Sequence, residues 1–481
     1  MNSSARERAV PDDHATPWAW ILALTTVAVV LRAIGLNGGL WFDEIMTLVH
    51  SVRLPLSALV TEFPHNNQHT LFSVLAHLSV SAFGEHPWSL RLPALIFGSA
   101  MVPALYVFAR QFTGRTEALL ASLLLAVSYH PVWFSQNARA YTALAFLTIV
   151  ASWLLLRVLR HGRTRDAVWY GVAAALGVYA HLTLVFLVIS HALLCAAALA
   201  APAIEPSVRA RWRLAATAFV LAGVFTFLLY SPVLLDLKQF FVDETKPAAV
   251  ATPRWALLEL IRGLRIGLGA GLGAVAAALL LAAGLWSYVR RTPFVAGLFV
   301  LPGVVTIAAT VGMGRPIFPR FMFFLIGFGL LILVRGALEM ARWIAPRHAS
   351  AAGVALVSAM ALASVPPLIA NYRYPKQDFG GALHFVDAAR RPGEPVVTVG
   401  LTTDVYRDYY RRDWQALTSI DDLQRIRAQE QRVWVLYTLE SYIDDKTPAL
   451  MAVLRTECSP AAVFRGTVGH GDITVCTVPA R

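Results

Sequence analysis

Long apolar runs, separated by short polar breaks rich in arginine, fill the first 370 residues of the chain. A bilayer core about 30 Å thick is crossed by about 20 residues of a helix rising 1.5 Å per residue. Runs of that kind lie at 18–36, 89–110, 116–130, 140–158, 167–181, 182–201, 213–235, 269–289, 294–313, 321–341 and 349–369, which predicts eleven membrane-spanning helices. The runs 167–181 and 182–201 are read as two helices with a tight turn at Tyr179-Ala180-His181, since Arg165 and Arg209 then fall on one side. Within the loop 37–88, the stretches 45–52, 54–63 and 70–83 are too brief or too polar to cross and are expected to lie in the interface.

The pattern changes after residue 370. Residues 379–390 are amphipathic with helical spacing, 395–400 (PVVTVG) and 432–439 (RVWVLYTL) are strand-like, 420–431 is helical, and 462–478 suggests a closing hairpin. The expected architecture is therefore mainly α: a cytoplasmic tail over 1–17, a transmembrane bundle over 18–370, and a small extracytoplasmic α/β domain over 371–481.

Composition agrees with a membrane protein: 57% of residues are hydrophobic and 15% charged, where soluble domains carry about 25%. The net charge of +12 invites a nucleic-acid reading, and its location dismisses it. Residues 371–481 hold 14 basic and 14 acidic side chains, so the whole excess lies among the apolar runs, in short loops. With the N-terminus cytoplasmic, the clusters at Arg6 and Arg8, Arg110 and Arg115, Arg157 to Arg165, Arg209 to Arg213, Arg290 and Arg291, and Arg342 and Arg347 share the cytoplasmic face. The loop 37–88, the turn near Gln136, the loop 236–268, the turn 312–320 and the C-terminal domain then share the outer face. That face keeps Arg53, Arg91, Arg139, Arg315 and Arg320 against the positive-inside rule, which suits an anionic ligand. Cys458 and Cys476 stand 18 apart in that domain, where an oxidising compartment would allow them to pair; Cys195 reads as a small core residue.

Candidate chemistry gathers on the outer side. Trp41-Phe42-Asp43-Glu44 follows the first run; its plain alternative is an interfacial helix with Asp43 as N-cap. Ser135-Gln136-Asn137-Ala138-Arg139-Ala140-Tyr141 lies where the third run turns into the fourth, and its arginine alone would be read as snorkelling to the interface. Pro64-His65-Asn66-Asn67-Gln68-His69-Thr70 places two histidines four apart, a metal-ligand spacing only if helical, and Asn-Asn favours a turn. Arg91 opens the second run, Arg320 precedes the tenth, and His181 sits at the turn between the fifth and sixth.

The order of these motifs resembles a family. Trp-Phe-Asp-Glu after the first helix, then FGEHPWSLRLPALIFG, then SQNARAYTAL, then a late Pro-Arg-Phe before an apolar helix, is similar to the GT-C membrane glycosyltransferases, in their protein O-mannosyltransferase and aminoarabinose-transferase-like branch, over residues 18–370. The resemblance implies an inverting enzyme that takes a sugar from a polyprenyl-phosphate carrier to a lipid, glycan or protein acceptor outside the membrane of the bacterial cell. Asp43 falls at the family's catalytic aspartate and Glu44 at its acidic neighbour. Arg139, Arg91 and Arg320, in that order, are the expected clamp for the departing phosphate. His65, Asn67, His69, Gln136, Tyr141 and His181 are further substrate-contact candidates. Two departures limit the transfer: Asn137 stands where many relatives have a carboxylate, and His-Asn-Asn-Gln-His where relatives often have His-Pro-Pro. A divalent cation therefore has no clear ligand set, and the acceptor is not carried over.

The rival from another class is a multi-span transporter or lipid flippase. It calls for ionisable residues near the midplane and for repeated halves, neither of which the sequence displays. A nucleotide-sugar enzyme calls for a cytoplasmic soluble domain, and the sizeable soluble domain here is assigned to the other side.

Overall fold

The computed structural model of the chain describes residues 17–63, 68–243, 255, 257–259, 261–263, 271–315, 318–428 and 432–480. Every predicted crossing falls on a helix. Among the described residues seven helices are long and apolar enough to span a bilayer on their own, and a pair bent by 54° has that length and apolarity only when taken together. The other three expected crossings are shorter helices of 16, 17 and 17 residues: α1 (Trp18–Ala33), α9 (Thr164–Ala180) and α10 (Leu184–Ala200). The chain is a multi-pass membrane protein.

The outer loop contains α2 (Phe42–Thr47), which continues as a wide helical turn over Leu48–Val52, then α3 (Leu56–Thr61) and α4 (Thr70–Phe83). Then come α5 (Pro87–Ala109), the bent pair α6 (Arg115–Val127) and α7 (Tyr129–Ser135), and α8 (Tyr141–His161). Helices α5 and α8 pack side by side, and α8 is the most deeply buried of the long apolar helices.

The break between α6 and α7 leaves the last carbonyl groups of α6 without partners in the helix. Arg32, at the end of α1 and fully buried, answers them: Nη1 donates to Ala126 O at 2.9 Å and to Ala28 O at 3.1 Å, Nη2 to Leu125 O at 3.0 Å, and Nε to Ser135 Oγ at 3.0 Å. Its charge also faces the negative end of the α6 dipole. Gln136 returns the favour, donating Nε2 to the α1-end carbonyls of Arg32 at 3.1 Å and Ile34 at 2.6 Å. Helices α1 and α6–α7 thus cap each other. Gly98 on α5 is needed at this junction, since a Cβ there would fall 2.0 Å from Ser135 Oγ.

A second polar cluster lies at the opposite end of the bundle, which the sequence reading did not foresee. Glu117 accepts from Tyr288 at 2.6 Å and from Arg335 at 2.9 Å, while Glu339 meets Arg342 at 2.9 Å and Arg291 at 3.0 Å. Each carboxylate is paired with more than one cation or hydroxyl, which suits a bolt between helices better than an ion path.

The C-terminal sheet has the strand order β2-β1-β3-β5-β4, with β1 (Val396–Thr398) parallel to both β2 (Gln415–Ala416) and β3 (Val433–Thr438). Strands β4 (Ser459–Phe464) and β5 (Ile473–Val478) form the expected hairpin, and β5 pairs antiparallel with β3. Cys458 and Cys476 form a disulfide and Cys195 is a buried free thiol. The short strand β2 and the helices Glu440–Lys446 and Pro448–Glu457 were not anticipated, being too short to show a clear period.

Candidate active site

The first turn of α2 sends its two carboxylates in different directions, as a helix of 3.6 residues per turn requires of neighbours. Glu44 points into the bundle and its side chain is 0% exposed. Its oxygens accept from Arg91 Nε at 2.7 Å and Nη2 at 2.6 Å, from Ala138 N at 2.7 Å and from Trp41 N at 3.3 Å. Burial alone would raise its pKa; the Arg91 and Lys376 charges and the hydrogen bonds from Arg91 and Ala138 outweigh that and hold it below the usual carboxylate value. Arg91 is equally occupied. Its remaining N–H groups go to Leu36 O at 2.8 Å, Gly38 O at 2.8 Å and Gly39 O at 2.9 Å, so all five guanidinium donors are used. The expectation that Arg91 holds a phosphate meets a guanidinium with no donor to spare; the pair instead ties α2 and the 36–39 turn to α5. Asp43 is not the N-cap of α2 but its second residue, Trp41 taking the capping place.

Asp43 faces the other way, with its side chain 11% exposed and Oδ2 accepting from Arg320 Nη1 at 3.1 Å. Arg320 leads in from the short helical segment Pro319–Leu325 and rests 4.8 Å over the Phe318 ring. Arg139 approaches from the α7–α8 turn: Nη1 donates to Thr47 Oγ1 at 3.2 Å, and that hydroxyl donates to Asp43 O at 2.8 Å. Two guanidinium groups from distant parts of the chain therefore flank the Asp43 helix, one on the Asp43 carboxylate and one on the Thr47 hydroxyl.

The other candidates divide clearly. Tyr141 has its ring 5.9 Å from Arg139 Cζ and packs beside His69 and His181, with centroids at 5.9 and 5.8 Å. His69 and His181 stack at 4.9 Å. Burial above all, and then the charge of Arg139, keeps His69 well below the usual histidine pKa, so this imidazole is a neutral wall beside the cations. Gln136 is buried and its side chain is spent on capping α1 and accepting from Asn371 at 2.8 Å. His65 and Asn67 lie outside the described residues. Asn137 accepts from Trp41 Nε1 at 3.1 Å, a scaffold contact. Among the described residues no three His, Cys, Asp or Glu side chains come together as a metal-binding group.

Two residues at this site gave no signal in the sequence because they belong to the C-terminal region. Lys376 donates to Gln136 O and lies 5.3 Å over the Trp133 ring; Gln377 accepts from Phe42 N at 3.0 Å. Both follow directly on the last crossing, in a segment whose pattern reads only as a linker.

Comparison with known proteins bears on the fold and on the first half of the chain. Residues 68–231, about a third of the chain, match the family described as dolichyl-phosphate-mannose-protein mannosyltransferase. The protein YkcB of Bacillus subtilis (strain 168), named as a mannosyltransferase, is 30% identical over 86 residues, which are 18% of this chain and 12% of that protein. The chain thus matches only a small part of that relative's length. The crystal structure of ArnT from Cupriavidus metallidurans bound to undecaprenyl phosphate superposes with a TM-score of 0.57 at 13% identity, over 96% of this chain and 98% of that one. The Archaeoglobus fulgidus oligosaccharyltransferase tethered with an acceptor peptide gives 0.52 at 11% identity, over 95% of this chain and 73% of that one. The chain thus shares its fold with these two solved structures, and its residues 68–231 match the dolichyl-phosphate-mannose-protein mannosyltransferase family.

Proposed function

We propose that this protein moves a sugar from a polyprenyl-phosphate carrier to an acceptor on the outer face of the bacterial inner membrane, with inversion at the anomeric carbon. Asp43 acts as general base. An acceptor hydroxyl gives its proton to the carboxylate as its oxygen bonds to the sugar's C1; the C1–O bond to phosphate breaks, and its electrons stay on the polyprenyl phosphate. That leaving group needs positive charge rather than a proton. Arg320 and Arg139 supply it; Arg91 is left to hold Glu44.

The observation that carries this reading is the contrast between the two carboxylates. Glu44 is saturated by four donors and closed to any ligand, whereas Asp43 is partly open and has a guanidinium 3.1 Å away that stays charged at any working pH. Mannose is the first sugar to test, from the family match over 68–231, and undecaprenyl phosphate the first carrier, from the ArnT complex.

The test offers the purified protein a panel of undecaprenyl-phosphate hexoses and pentoses, starting with mannose, together with envelope membranes from a strain lacking the gene. Sugar-dependent release of undecaprenyl phosphate with a new glycoconjugate supports the proposal. Movement of carrier across vesicles without any transfer would favour the flippase reading.

A further inference from the structure

The segment joining the last crossing to the sheet domain runs directly behind the helix that carries Asp43. Gln377 is 2% exposed and both ends of its amide are engaged. Oε1 accepts from Phe42 N at 3.0 Å, and Nε2 donates to Thr438 Oγ1 at 3.3 Å. Phe42 opens α2, so its amide is among the helix-start N–H groups that no carbonyl of the helix can satisfy. Asp43 is the next residue. Thr438 ends β3, and its hydroxyl passes on to Asp472 O at 2.9 Å in the hairpin loop.

That loop closes over the segment from the far side. Thr467 N donates to Pro375 O at 2.9 Å and Val468 N to Lys376 O at 3.1 Å. A Cβ on Gly466 would fall 2.2 Å from Lys376 O, so the contact admits no larger residue without movement. The segment is thus clamped between the sheet and the catalytic helix.

Helix α2 has six residues, fewer than a helix needs to hold its own geometry in isolation. Its start is held by its own Glu44 on Trp41 N and, from outside, by Gln377 on Phe42 N. We infer that Gln377 is a positioning residue for the transfer reaction, through which the C-terminal domain fixes the Asp43 carboxylate. The inference rests on the reading of Asp43 as the base. It gives the sheet domain a role in turnover although it contributes no reacting group: a domain shifted off its seat releases the amide before Asp43 and lets the base drift, and misplacement by about 1 Å costs on the order of a hundredfold.

The test complements a gene-deletion strain with full-length wild type, Gln377→Ala, Gln377→Glu and Asp43→Asn at matched protein levels. It quantifies by mass spectrometry the envelope glycoconjugate that the deletion removes. Thermal midpoint and affinity for undecaprenyl phosphate are measured on each purified protein. Gln377→Ala is expected to lose about tenfold or more of product per folded molecule, with carrier affinity unchanged. Gln377→Glu keeps an acceptor for the Phe42 amide and is expected to regain most of it. Wild-type product from Gln377→Ala, equal loss in both variants, or a lower midpoint with unchanged product per folded molecule would each overturn the inference while Asp43→Asn remains inactive. Full product from Asp43→Asn, or no glycoconjugate lost on deletion, would instead remove the functional reading beneath it.

Discussion

Arg320 Nη1 lies 3.1 Å from Asp43 Oδ2, across 277 residues of chain. The next residue, Glu44, belongs to a different cation, Arg91, whose Nη2 stands 2.6 Å from it. Two adjacent carboxylates and two arginines have been sorted into a partly open pair and a sealed one. The sealed pair fixes α2 to α5, and in the proposed reaction the other pair is the one that meets the substrate.

Substitution should separate the two arginines. Arg91→Ala leaves Glu44 buried without its bidentate guanidinium, which costs about 3–5 kcal/mol, and should sharply lower the thermal midpoint and yield. Arg320 is 35% exposed, so Arg320→Ala should change stability by no more than about 1 kcal/mol while reducing transfer by about 10²–10³-fold. Thermal unfolding in detergent together with the transfer assay checks both. A stable, inactive Arg91→Ala or an unstable, active Arg320→Ala would reverse the assignment.

Arg32 is expected to matter for stability alone. Arg32→Met strands the carbonyls of Leu125 and Ala126, each at a cost of about 1–3 kcal/mol. The thermal midpoint should drop, with activity per folded molecule retained. An unchanged midpoint would mean that the bent pair α6–α7 does not depend on this cap.

Lys376 gives a pH signature. Burial above all, with Arg91 adding and Glu44 opposing, pulls its pKa from 10.5 down to about 7. Between those two values the unfolded chain holds a proton that the folded chain has released, so stability rises with pH from about 7 towards 10.5 and gains nothing from this group below 7. Lys376→Met should remove that part of the slope when thermal midpoints of the two proteins are compared from pH 6 to about 10. Identical slopes would contradict a buried, poorly solvated ammonium at this position.

Much of the fold could be read from the chain because a bilayer imposes one rule on every crossing: long apolar runs and basic breaks locate themselves. Asp43, Arg139 and Arg320 could be read as candidates because charged residues at the ends of such runs are costly unless used. What could not be read was which partner each charge has. Arg91 looks like Arg320 in sequence, and only the turn of α2 decides that one meets a fully buried Glu44 and the other the slightly more exposed Asp43. Gln136 likewise looks like a polar substrate contact; its role as a cap depends on a break between α6 and α7 that leaves no mark in the apolar pattern. Lys376 and Gln377 sit after the last crossing, and their place beside α2 follows from the docking of the sheet domain, a long-range event without local periodicity.

The central claim is that Asp43 removes the acceptor's proton. Its most direct test is the rate of sugar transfer by Asp43→Asn, measured beside its affinity for undecaprenyl phosphate and its thermal midpoint. The account predicts turnover reduced by about 10²–10⁴-fold, with carrier affinity and midpoint near those of the wild type. Transfer at the wild-type rate by a folded Asp43→Asn protein would contradict it.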